Sequence, residues 1–119
     1  MGHLDGRVAI VTGAGRLRGI GRATAVALAT EGADVVVTGT GRDPASYPDD
    51  EKQAGWKDVE STAQQVRERG RRALTWVGDV SRAAAVQDLV DRVMATFWAH
   101  RRAREQRRLS ARQRPRARH

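Results

Sequence analysis

A parallel β-sheet covered by helices is the fold class this sequence predicts, and three observations predict it. Short runs of β-branched apolar residues alternate with helix-length stretches in the order βαβαβα, the pattern of an α/β domain. The first run is apolar throughout rather than alternating, as in strands covered on both faces. A glycine-rich turn joins that run directly to the first helical stretch.

The first strand lies within Arg7 to Thr12, where Val-Ala-Ile-Val is closed by Gly13; such a run predicts a strand buried on both faces. Gly19 to Glu31 is rich in Ala, Val and Leu and stops at Gly32, which reads as a helix with a C-terminal glycine. Asp34 to Thr38, with three consecutive valines, is the second strand. Gly39 to Lys57 is long and polar, holds Pro44, Pro48 and the acids Asp49, Asp50 and Glu51, and reads as a loop. Val59, Ala63 and Val66 share one face of a helix over 58–69. Ala73 to Val77 is the third strand, with Asp79 and Val80 just beyond it. Ser81 is then read as the N-cap of a helix whose stripe runs through Val86, Leu89, Val90, Val93, Met94 and Phe97.

The chain has 119 residues, enough for one domain. Its apolar runs are of strand length, far below the roughly 20 residues that span a membrane, and no signal peptide is visible, so a cytoplasmic protein is expected. Without cysteine, disulfides, thiolate metal sites and a cysteine nucleophile are excluded. His3, His100 and His119 are isolated, with no metal-ligand spacing. The net charge of +8 is local: residues 1–97 hold 13 Lys/Arg and 13 Asp/Glu, whereas 98–119 hold nine Arg and one acid, Glu105. A neutral body, 1–97, thus precedes an Arg-rich tail, 98–119, expected to be helical or disordered.

The glycine turn is the most informative stretch. Gly13 permits a tight turn, and Gly19 and Gly21 permit close approach of backbone to a phosphate and of helix to sheet. The helix that starts there offers unpaired N–H groups and a partial positive charge to a pyrophosphate. Between a buried strand and a helix, in the first βαβ unit, this is a dinucleotide-binding pattern of the Rossmann kind.

Leu4-Asp-Gly-Arg-Val-Ala-Ile-Val-Thr-Gly13, Arg18-Gly-Ile-Gly-Arg-Ala23, Glu31-Gly-Ala-Asp-Val-Val-Val37 and Asp79-Val80 fall in order on their elements. Over about residues 4–97 the chain resembles the opening of the short-chain dehydrogenase/reductase family. The resemblance implies a partial Rossmann fold of three parallel strands, in the order 3-2-1, with three helices. It implies cofactor contacts at Gly13, Gly19, Ile20 and Gly21, with Asp79 and Val80 at the adenine. The turn departs from the family by two extra residues: five, Ala14 to Arg18, stand where the family has three. At the end of the second strand there is no acid until Asp43, while Arg18 and Arg42 are nearby. An acid there would bind the ribose hydroxyl of NAD and an arginine the extra phosphate of NADP, so NADP is expected over NAD.

The family's later motifs, Asn-Asn-Ala-Gly, a Ser and a Tyr-x-x-x-Lys pair that moves the proton, do not occur here. Tyr47 is followed four residues later by Glu51, and Ser110 has no base near it in sequence, so no catalytic residue is assigned. The tail begins where the family's next motif should start and reads as truncated or out-of-frame sequence. The expected function is a short-chain oxidoreductase fragment that binds NAD(P)(H) and is inactive alone. Half of a split reductase is a second reading. The third is a basic-tailed module binding nucleic acid or an anionic surface, against which the tail lacks interleaved aromatics beyond Trp98. The first strand, left at a sheet edge, is expected to invite self-association.

Overall fold

The computed structural model describes residues 3–98, 105–107 and 109. Strands β1 (Val8–Val11), β2 (Asp34–Gly39) and β3 (Ala73–Val77) form one parallel sheet in the order β1-β2-β3. Val8 pairs with Asp34 and Val11 with Val37; Val35 pairs with Ala73 and Gly39 with Val77. This is the expected order, a three-stranded part of a Rossmann-like sheet. Helices α1 (Ile20–Thr30), α2 (Asp49–Gln53), α3 (Val59–Glu68) and α4 (Ala83–Val93) connect and cover the strands, and a π-helical turn, Met94–Trp98, continues α4. The described tail residues 105–107 and 109 are helical; the expectation for the rest of the tail lies outside the described residues.

Two cores form because successive side chains of a strand point to opposite faces. On one face Val35 and Val37 pack with Val11, Ala25 and Ala29 of α1 and Val59, Ala63 and Val66 of α3. The alanines keep α1 close to the sheet, and Val35, Val37, Ala63 and Val66 are fully buried. On the other face Val36 and Trp76 pack with Leu89 and Phe97, flanked by Leu74, Ala85 and Val93. The Trp76 indole N–H donates to Asp88 at 3.0 Å and ties α4 to β3.

Three sequence expectations need correction. β1 is not buried on both faces: Val8 is 40 % and Ile10 47 % exposed, because α4 packs over β2 and β3 and leaves β1 open beside Val36. Nor is 39–57 a plain loop. It holds a 3₁₀ turn, Pro44–Ser46, and α2. Pro44 occupies the first turn while the Asp43 carboxylate accepts from Ala45 N, and the acids after Pro48 suit the positive end of a helix. The described residues therefore contain four α-helices, not three. Finally, Ser81 is not a cap. Arg82 holds the N-cap position of α4 without a capping bond, and Ser81 instead donates its N–H and O–H to Asp79.

The uneven cover gives a prediction about neighbours in register on one face, Ile10 and Val36. Val36→Ala should cost roughly 2 kcal/mol, from lost methyl burial plus a cavity, and Ile10→Ala less than about 1 kcal/mol. Urea denaturation of both variants measures this; equal losses would mean that β1 is covered on the α4 side.

Candidate functional site

The glycine turn, residues 12–19, leaves β1 at the same sheet end where β2 finishes. Its anchor to the sheet is backbone: Ala14 N donates to Thr38 O at 2.9 Å. Gly13 turns the chain at a positive φ of 66°, and α1 begins after Gly19, whose own conformation is extended. A Cβ on Gly21 would overlap the Gly13 carbonyl oxygen, so only glycine lets the first turn of α1 sit on the strand-to-helix bend. No acid stands in that first turn and no side chain caps it, so the leading N–H groups of α1 and the positive end of its dipole are left for an anion.

The lengthened turn is held by the segment after β2 and by α3. The Trp56 indole N–H donates to Gly15 O at 2.6 Å and Arg42 donates to the same oxygen at 3.3 Å. Thr62 Oγ1 donates to Ala14 O at 2.6 Å, and Leu17 N donates to Glu51 Oε2 at 2.9 Å. Arg22 of α1 donates to Leu17 O and to Gln65 Oε1 of α3. A Cβ on Gly15 would overlap the Asp58 carboxylate. The lengthened turn and the folded 40–57 segment thus fit one against the other.

Arg42 is the charge centre of this contact. Its guanidinium meets Asp58 Oδ1 at 2.7 Å and Glu51 Oε1 at 3.0 Å, and lies 4.7 Å from the centre of the Tyr47 ring. Burial works against its charge, but the hydrogen bonds to Asp58 and Glu51 outweigh that and hold its pKa above the ordinary value. Tyr47 is itself buried; burial first, then the Asp58 charge, pushes its phenol up, the reverse of what a proton donor and acceptor near neutral pH requires. Arg18 pairs with Asp50 but stays 84 % exposed.

A cleft of about 270 Å³ opens beside the turn, lined by Gly13, Gly15, Arg16, Gly39, Thr40, Arg42 and Asp58. Of the residues singled out in the sequence, Gly13 and Arg42 line it, and Gly19, Ile20 and Gly21 form the adjoining helix start. Arg18, Asp79 and Val80 are not among its lining residues. The Asp79 carboxylate accepts from the Ser81 hydroxyl and N–H, which lower its pKa, and Val80 is half exposed. Sequence reasoning missed Gly15, Arg16, Thr40 and above all Asp58. Asp58 is the single non-glycine residue with positive φ among those described, a property that leaves no mark in a sequence. Among the described residues no group of His, Cys, Asp or Glu could hold a metal ion, and no helix is long and apolar enough to cross a membrane.

The family model described as short chain dehydrogenase matches residues 7–100. The chain is 41 % identical over 94 residues to a cyclohexanol dehydrogenase of Rhodococcus sp. (strain TK6), covering 79 % of this chain and 33 % of that protein. It is 36 % identical over 100 residues to a (-)-trans-carveol dehydrogenase of Rhodococcus erythropolis, covering 82 % and 34 %. A short chain dehydrogenase from Mycobacterium paratuberculosis, solved bound to NAD, superposes with a TM-score of 0.62 at 34 % identity, covering 81 % of this chain and 34 % of that one. This chain therefore spans about a third of the length of the relatives it matches.

The Thr62 contact can be checked directly. Thr62→Val keeps the volume but leaves the buried Ala14 carbonyl without its side-chain donor, and should cost about 1–3 kcal/mol in urea denaturation. A loss below about 0.5 kcal/mol would mean that the turn does not depend on that bond.

Proposed function

Because this chain belongs to the short chain dehydrogenase family, we propose that residues 7–97 hold the adenosine and pyrophosphate half of a nicotinamide dinucleotide for an oxidoreductase. The observation that carries this reading is the bare start of α1. Gly21 packs it onto Gly13, no acid or cap competes there, and the glycine-lined cleft opens beside it.

In this reading Gly13, Gly19, Ile20 and Gly21 present backbone to the pyrophosphate, with their N–H groups and the helix dipole offsetting its charge. Asp79 and Val80 border the adenine. The support for that is position: Gly78 N donates to Gly39 O at 3.0 Å, which sets the ends of β3 and β2 side by side. The bound dinucleotide supplies or takes hydride at its nicotinamide. The chain's own residues bind and orient the other end and furnish no proton donor: no Tyr-x-x-x-Lys occurs, and Tyr47 is buried with its phenol pushed up. Turnover by the 119 residues alone is not expected.

The NADP expectation rested on Arg18 and Arg42 as cations for the extra phosphate. Arg18 is paired with Asp50, and Arg42 with Asp58 and Glu51, so neither offers an uncompensated charge. The choice between the two dinucleotides then falls to the groups that line the cleft.

Calorimetric titration of the full chain tests the reading. ADP-ribose should bind within about threefold of the intact dinucleotide, a difference of about 0.7 kcal/mol, and nicotinamide mononucleotide should not bind measurably. Tight binding of the mononucleotide, or none of ADP-ribose, would overturn it.

A further inference from the structure

Family enzymes that choose NAD place an acid at the end of the second strand, where it meets the ribose hydroxyls. Here that position is Gly39, which has no side chain to offer. The space is nevertheless filled: a Cβ on Gly39 would overlap Val59 Cγ1 at 2.8 Å and lie 3.2 Å from Asp58 Oδ2. A carboxylate from the start of α3 thus stands beside the place where a side chain from the end of β2 would project.

Three features mark Asp58 as built for a ligand. Its backbone has φ 55° and ψ −132°, a sparsely populated region for a non-glycine residue, which persists only where the surroundings over-determine it and which clusters at binding sites. Its side chain is nine-tenths buried yet lines the cleft. Its two oxygens are also unequal. Oδ1 accepts from both Nε and an NH2 of Arg42, at 3.0 and 2.7 Å. Oδ2 accepts no hydrogen bond from any side chain or backbone among the described residues. Arg42, fixed by Glu51 and the Tyr47 face, therefore clamps one oxygen and orients the other beside Gly39.

We propose that Asp58 recognises the adenosine ribose hydroxyls through Oδ2 and makes this chain select NAD(H) over NADP(H). The inference rests on the dinucleotide reading above. A preoriented carboxylate accepts from a diol at little entropic cost, whereas a 2′-phosphate in the same place sets negative charge against negative charge. Arg42 does not serve the phosphate, because its charge is already taken by Asp58 and Glu51. Arg16, exposed at the cleft, is the cation that a rival NADP preference would use.

The test titrates NAD+, NADP+ and 2′-deoxyadenosine NAD+ onto the full chain and onto Asp58→Asn, which keeps the shape, tolerates positive φ and removes the charge. Circular dichroism establishes that the variant is folded. The parent should bind NAD+ on the order of tenfold or more tighter than NADP+ and than the deoxy analogue, the worth of a hydrogen bond to a charged group. Asp58→Asn should bring all three affinities within about threefold of one another, through weaker NAD+ and stronger NADP+ binding. If the variant does not fold, the parent's discrimination against the deoxy analogue decides the matter, and its absence overturns the proposal. Equal affinities in the parent, an unchanged ratio in Asp58→Asn, or an NADP+ preference abolished by Arg16→Ala would overturn the Asp58 assignment and leave the dinucleotide reading standing. Failure of every dinucleotide and of ADP-ribose to bind would overturn both.

Discussion

The Gly15 carbonyl oxygen accepts from the Trp56 indole at 2.6 Å and from Arg42 at 3.3 Å. Those donors come from the two ends of the segment between β2 and α3. With any side chain at position 15, a Cβ would overlap the Asp58 carboxylate. Much of the site follows from this contact. Arg42, held at the turn, is the common partner of Asp58 and Glu51; Glu51 also accepts from the Leu17 N–H; and Asp58 keeps its positive-φ conformation beside Gly39. The burial of Glu51 and Asp58 is tolerable because each shares the guanidinium, since a lone buried carboxylate would cost several kcal/mol.

The same sheet end is well supported on one face only. α1 and α3 close over Val35 and Val37, while α4 reaches Val36 and Trp76 but not Ile10. The glycine turn and the Asp58–Arg42 pair sit at the end of the well-packed layer, where α1, α3 and β2 meet. The more completely packed half of the molecule is thus the half that carries the cleft. Asp79 and Val80 belong to the more open half, where α4 meets β3.

Much of the fold was legible in the sequence because its signals are local. The valine runs at 8–11 and 35–37, the alanine-rich stretch ended by Gly32 and the stripe Val59, Ala63, Val66 each specify one element, and the structure forms those elements. Gly13 and Gly21 were legible because strand, turn and helix are contiguous there. One misreading has a local cause: Pro44 and Pro48 suggested a loop, yet proline suits the first turn of a helix and the acids after Pro48 suit its N-terminus. Other features are set by folded context: the pairing of Arg18 with Asp50, and of Arg42 with Glu51 and Asp58, joins residues that only the fold brings together. Asp58 itself was invisible as a site residue. Its place beside Gly39 depends on Arg42, Trp56 and a glycine at position 15 acting together.

The interlock of the longer glycine turn with the 40–57 segment also bears on how this region can be exchanged between proteins. Ala14, Gly15 and Leu17 supply one side of the joint, and Arg42, Glu51, Trp56 and Thr62 the other. A descendant or a chimera that shortened either side alone would strand buried donors and acceptors on the one that remained. A change in the length of one side therefore calls for a matching change in the other. A graft that keeps the joint whole carries everything from Gly13 to Thr62 as a single physical unit.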